Sequence, residues 1–142
     1  MTYELAKKLK DAGFPQTYLK SDPVMDFAYY DKTQKLHLLH TDNDTGWWIG
    51  NEYGEYADLN EEYVIANFTK CPTLSELIEA CGNEFDSLTR DTEVNLTTGE
   101  EKTIWKAKPE NAIPSNLGAI SCFIGYTADE AVAHLWLALD EK

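Results

Sequence analysis

The stretch DFAYYDKTQKLHLLH, Asp26 to His40, decides how this chain folds. Phe27 and Tyr29 lead in, Leu36 and Leu38 lead out, and Asp31-Lys32-Thr33-Gln34 separates them. Apolar residues at every second position mark a strand, and Asp and Thr side chains close turns by bonding nearby backbone. The expectation is an antiparallel hairpin. A short turn of this kind favours an antiparallel sheet, because a parallel neighbour needs a crossover of about a dozen residues or more.

Working outward, TGWWIG extends the same sheet on its C-terminal side. TIWKAK alternates around Ile104 and Lys106, and AISCFIGY sets Ile120, Cys122 and Ile124 against Ser121, Phe123 and Gly125, so both read as strands. EEYVIANF, Glu61 to Phe68, is β-branched and aromatic enough for a strand and short enough for either state. Three helices surround these strands. The first runs from Thr2 to Ala12, capped by Thr2, with Leu5, Leu9 and Ala12 on one face and Gly13 and Pro15 to stop it. The second starts at PTLSE, where Thr73 and Glu76 spell a capping box, and ends at Gly82. The third repeats the device with Thr127 and Glu130 and continues to about Asp140. Ala128, Val132, Leu135, Trp136 and Leu139 share its inner face, while Leu137 points away. The sum is an α+β fold: one domain over residues 1–142, an antiparallel β-sheet with three helices packed on it.

Composition narrows the function classes. The 142 residues hold 25 acidic against 12 basic side chains, a formal net charge of -13 at pH 7. Nucleic-acid phosphates and anionic membranes both demand Lys and Arg, so neither is a direct partner. No Lys or Arg lies between Lys35 and Lys70, a window that carries Asp42, Asp44, Glu52, Glu55, Asp58, Glu61 and Glu62. Such acidity either keeps the protein soluble or competes for a basic partner. Cys71, Cys81 and Cys122 are odd in number and lack a C-x-x-C spacing, which reads as reduced thiols and a cytoplasmic setting. The opening MTYELAKKLK has no apolar leader, and the two Asn-x-Thr triplets therefore stay unmodified.

The segment TDNDTGWWIGNEYGEY, Thr41 to Tyr56, concentrates polar and aromatic side chains inside the basic-free window. As a calcium loop with Gly46 at its sixth position it would put Thr41, Asn43 and Thr45 at the ligand positions. Glu52 would fall on the twelfth, but a threonine at the first lacks the main carboxylate. His37 and His40, three apart, face opposite ways on a strand and share no metal. No nucleophile elbow or phosphate-cradling glycine loop appears. No catalytic residue, metal or cofactor is expected. One tryptophan of the pair should enter the core and the other reach the rim of the sheet, where an aromatic ringed by acids suits a basic partner. The candidate partner-binding residues are Asp42, Asp44, Trp47, Trp48, Glu52, Tyr53, Glu55 and Tyr56.

MTYELAKKLKDAGFPQ, PTLSELIEACGNEF and GYTADEAVAHLWLALDEK resemble, in that order, segments of small phage and prophage proteins. Ala128-Asp129 stands where those proteins have Pro-Glu. The closing helix is also similar to the ends of HicB-type antitoxins and of phage sheet-and-helix sandwich proteins. The resemblance implies a phage origin and a compact fold, and carries over no catalytic residue. The leading expectation is a non-enzymatic, cytoplasmic protein that binds a basic host or phage protein, in its concrete version a host defence nuclease whose nucleic acid it mimics. A small-molecule binder or enzyme using the aromatic cluster as a pocket is a second reading. A structural protein that self-associates through the last helix is a third.

Overall fold

The computed structural model describes residues 1–16, 25–42, 46–50, 56–59 and 61–141. The chain divides into two compact units, residues 2–72 and residues 73–142 with Met1. Each mixes helices with antiparallel strands, the expected α+β class. Among the described residues there are four helices and three sheets rather than three helices on one sheet.

The first unit opens with α1 (Tyr3–Asp11). Thr2 is extended, and its hydroxyl accepts from the Leu5 amide at 3.3 Å, satisfying one of the free N–H groups of the first turn. Leu5, Ala6 and Leu9 are buried. There follow β1 (Met25–Tyr30), β2 (Leu36–Asp42), β3 (Gly46–Gly50), β4 (Tyr56–Leu59), α2 (Glu61–Asn67) and the short β5 (Thr69–Lys70). The sheet runs β4-β3-β2-β1-β5, with every pairing antiparallel. EEYVIANF resolves as a helix.

The hairpin at Asp26 to His40 forms where expected, and its register decides which residues of the second strand face the core. The sequence sets Phe27 and Tyr29 on one strand and Leu36 and Leu38 on the next, and leaves their register open. The register pairs Phe27 with Leu39 and Tyr29 with His37. The reason is the turn, which the Asp31 amide closes on the Lys35 carbonyl at 2.9 Å, with Gln34 at φ 66. Tyr30 then meets Leu36, and because faces alternate along a strand, Leu39 falls inside with Phe27 and Tyr29. Leu36 and Leu38 are left 51% and 63% exposed.

Phe27, Tyr29, Leu39, Val64 and Phe68 form the core of this unit. The Tyr29 and Phe68 rings meet edge to face, 6.5 Å between centroids, and the Tyr29 hydroxyl donates to the Gln16 carbonyl at 2.6 Å. Only seven residues long and without a basic residue in its last turn, α2 cannot stand by propensity alone. Its C-terminus is held from α1: Lys10 Nζ donates to the carbonyls of Ile65 at 2.5 Å and Phe68 at 2.8 Å. A cation placed there satisfies unpaired carbonyls and opposes the negative end of the helix dipole. Burial lowers the pKa of Lys10 despite the nearby Asp11.

The second unit begins with α3 (Leu74–Cys81). Its capping box is complete, Thr73 Oγ1 accepting from the Glu76 amide and Glu76 Oε2 from the Thr73 amide. Gly82, at φ 56, ends it. Then come β6 (Phe85–Val94), β7 (Glu101–Pro109), β8 (Ile113–Ser115), β9 (Gly118–Ile120), β10 (Phe123–Gly125) and α4 (Ala128–Asp140). The strands form a sheet ordered β10-β7-β6 and a separate β8-β9 pair. AISCFIGY is thus two strands, broken at Ser121 and Cys122, which leave the β8 pairing before β10 joins β7. Both β6 and β8 lie in segments that the sequence reading left without a strand.

At α4 the Thr127 hydroxyl accepts from the Glu130 amide as expected, but Glu130 Oε2 accepts from Tyr126, one residue before the cap. The helix packs on α3, β7 and β10. Contact on more than one side agrees with its burial: Ala131, Val132, Ala133 and Leu135 are inside, and Leu137 is half-buried. The first turn comes so close to β10 that a Cβ on Gly125 would sit 2.4 Å from the Ala131 nitrogen and 2.8 Å from Glu130 Cβ.

Two substitutions test these contacts. Gly125→Ala should force α4 away from β10 and cost about 1–3 kcal/mol of stability, the usual penalty of overpacking, measured by urea denaturation. An unchanged midpoint would mean that the first turn lifts off freely. Lys10→Met keeps the apolar stem but removes two charge-assisted bonds, for a loss of about 1.5–3 kcal/mol. Faster amide hydrogen exchange over residues 64–68, with α3 and α4 unaffected, is the expected signature.

Candidate functional site

Strand register sorts the expected site residues. Trp47 pairs with Thr41 and Leu59, and Trp48 with His40 and Asp58. Because Leu39 pairs with Ile49, positions 47, 49, 57 and 59 share the core face of Leu39. Positions 48, 50, 56 and 58 belong to the face of Leu36 and Leu38. Positions 47 and 48 therefore stand in opposite phases of the strand. Asp42, opposite Gly46, and Tyr56, opposite Gly50, occupy the same face as Trp48.

Asp44, Glu52, Tyr53 and Glu55 lie outside the described residues, as do Asn43 and Thr45 of the calcium-like loop. The sequence places Asp58 in the basic-free window but does not mark Leu36 and Leu38 as members of this face. The signal was present in the LHLL run, whose doubled leucine admits two phases, and turn length chose between them.

Next to this face sits the β1–β2 turn, organised by one carboxylate. Asp31 Oδ1 accepts from the Thr33 amide at 2.8 Å, the Thr33 hydroxyl at 2.6 Å and the Lys35 amide at 3.0 Å. Its Oδ2 lies 2.7 Å from His37 Nε2. The Thr33 hydroxyl, then His37 and the backbone donors hold the Asp31 carboxyl well below the usual carboxylate range. With its lone pairs so engaged, Asp31 is a turn anchor, unsuited to giving up or taking a proton near neutrality. The His37 ring meets Phe68 edge-on at 6.0 Å, which ties the turn to the core.

His134 Nδ1 donates to the Ile124 carbonyl at 3.0 Å, a bond that joins α4 to β10. Cys81 is buried, and burial pushes its thiol up to about 11, far from a reactive thiolate. Cys71 and Cys122 are half-buried. Among the described residues no three His, Cys, Asp or Glu side chains are grouped to hold a metal ion. A cleft of about 190 Å³ between α1, α2 and the β1–β2 turn is lined by Lys7, Lys10, Lys32, Asp11 and Asp31, with Lys7 and Asp11 paired at 2.5 Å. It is smaller and more polar than the roughly 300–1,000 Å³ apolar pockets that enclose small ligands.

The Asp31 turn yields a pH test. A carboxyl whose pKa is depressed by folding stabilises fully above its unfolded value of about 3.9 and loses that contribution as pH falls through the folded value. Asp31→Asn should be less stable than the parent at pH 7, and the gap should narrow below about pH 4. Urea midpoints across that range check it; a constant gap would exclude the ionised carboxylate as the cause. Compared with protein-family models, with curated proteins and with solved structures, the chain matches none.

Proposed function

We propose that the chain is a non-enzymatic acidic protein that binds a basic protein through the outer face of β2, β3 and β4. The observation that supports this reading is the shared face itself: exposed Leu36 and Leu38 lie in register with positions 48, 56 and 58, a Trp, a Tyr and an Asp. Apolar and aromatic groups anchor protein interfaces, and surrounding charge steers encounter and rejects wrong partners. A net charge of -13, with no Lys or Arg between Lys35 and Lys70, selects a basic partner. No helix among the described residues is long and apolar enough to cross a membrane. The three phage-like segments make a cytoplasmic host protein the natural target. A defence nuclease, whose nucleic-acid groove is basic, is the concrete form.

Affinity capture from host cells supplies the partner, and kinetics with the purified pair supply the test. Replacing Asp42, Asp44, Glu52 and Glu55 by their amides should slow association, with the difference erased by salt that shortens the screening length. Trp48→Ala should instead speed dissociation, weakening the complex by about 2 kcal/mol or more, provided circular dichroism shows it folded. Unchanged kinetics in both variants would remove the face from consideration.

A further inference from the structure

The β6–β7 hairpin reaches beyond the body of its own unit. The third strand, β10, pairs only with Trp105, Lys106 and Ala107. From Thr89 to Thr103 every residue is exposed, so this length is a two-stranded ribbon without a covered face. Such ribbons are marginal by themselves. This one is held across its strands by an Asp91–Lys106 ion pair and by the opposition of Glu93 to Lys102, and Lys102 Nζ also lies 6.0 Å from the Tyr126 ring.

The tip is rigidly built. The Asn95 amide donates to the Glu100 carbonyl at 2.8 Å, and the Gly99 amide, at φ 72, donates to the Asn95 carbonyl at 2.7 Å. Asn95 Oδ1 accepts from the amides of Thr97 at 2.9 Å and Thr98 at 3.3 Å, and the Thr98 hydroxyl accepts from the Glu100 amide. This framework presents Leu96 at 96% exposure beside Val94 at 46%. Glu93, Glu100 and Glu101 flank the pair, with Lys102 as the nearest basic residue in the strands. A lone exposed leucine is ordinary. A leucine in a turn whose neighbouring residues are closed by five hydrogen bonds, at the end of a ribbon with every residue exposed, is preorganised for contact, since much of the cost of ordering its backbone is met before binding.

We infer that the β6–β7 ribbon is an insertion arm whose tip seats Leu96 in an apolar socket with a Lys- or Arg-lined rim on a partner protein. The acidic flanks decide the occupant. A second copy of a chain with net charge -13 would be repelled, whereas a basic rim would complement Glu93, Glu100 and Glu101. The inference is independent of the outer face of β2, β3 and β4, which lies in the other unit.

Site-specific cross-linking tests it in the full chain. The probe is p-benzoylphenylalanine at position 96 in cells of the native host, with the exposed Glu79 of α3 substituted in the same way as control. The expected result is a discrete adduct at position 96 and not at 79, mapping to an apolar patch beside basic residues. With the purified adduct partner, Leu96→Asp should raise the dissociation constant about tenfold or more, chiefly through the off-rate. The double reversal Glu100→Lys with Glu101→Lys, which leaves the Glu93–Lys102 opposition intact, should slow association in a salt-dependent way. Both variants should keep the thermal midpoint of the parent, because no core residue is touched. An adduct with a second copy, equal or absent adducts at both positions, or affinity unmoved by these variants would overturn the insertion arm. Each such result leaves the sheet-face proposal standing.

Discussion

The hydrogen bond from the Asp31 amide to the Lys35 carbonyl fixes which side of the first unit's sheet is interior. A strand has only two faces, so the residue at which a turn closes decides the environment of every residue after it. With Tyr30 set against Leu36, His37 and Leu39 go inside and Leu36 and Leu38 go out. The pairing of β3 with β2 then passes the same choice to the tryptophans, and β4 passes it to Asp58. One carboxylate, bonded to Thr33, Lys35 and His37, keeps the turn in this form. The outer face on which the proposed function rests is a consequence of turn length.

Acidity shapes the helices as well as the surface. None of α2, α3 and α4 has a basic residue in its last turn, where a cation would offset the dipole. The chain solves the problem differently each time. Helix α3 stops at Gly82, whose positive φ turns the backbone away, and α4 is capped at its start and carried by packing on α3, β7 and β10. Helix α2, the shortest, takes Lys10 from α1 across more than fifty residues of sequence. In a chain with 12 basic residues this places a scarce charge where two carbonyls need it.

Local signals were legible in the sequence and pairing was not. Thr2, Thr73 and Thr127 announced their helices because caps act within one turn, and Gly82 ended one for the same reason. The hairpin at Asp31 was visible through its turn residues, but its phase depended on a closing bond one residue beyond the quartet that reads as the turn. AISCFIGY alternates without interruption, yet its halves pair with different strands, a choice made by partners distant in sequence. The β6 strand escaped notice because TRDTEV is polar on both faces, which periodicity cannot distinguish from a loop. Of the candidate site, the division of Trp47 from Trp48 was legible from the pleat alone. That Leu36 and Leu38 share the face of Trp48 required the register.

The β6–β7 ribbon carries a consequence for how the chain changes over generations. Most positions in a small domain are restrained because substitution there damages the fold. From Thr89 to Thr103 that restraint is relaxed, since every side chain is exposed and only the turn at Asn95 and Gly99 has a backbone requirement. Drift can therefore accumulate on the arms at a pace the core of the same unit cannot follow. Among descendants of this gene, a ribbon that varies while Asn95 and Gly99 persist would mark the part of the molecule answering to a changing counterpart.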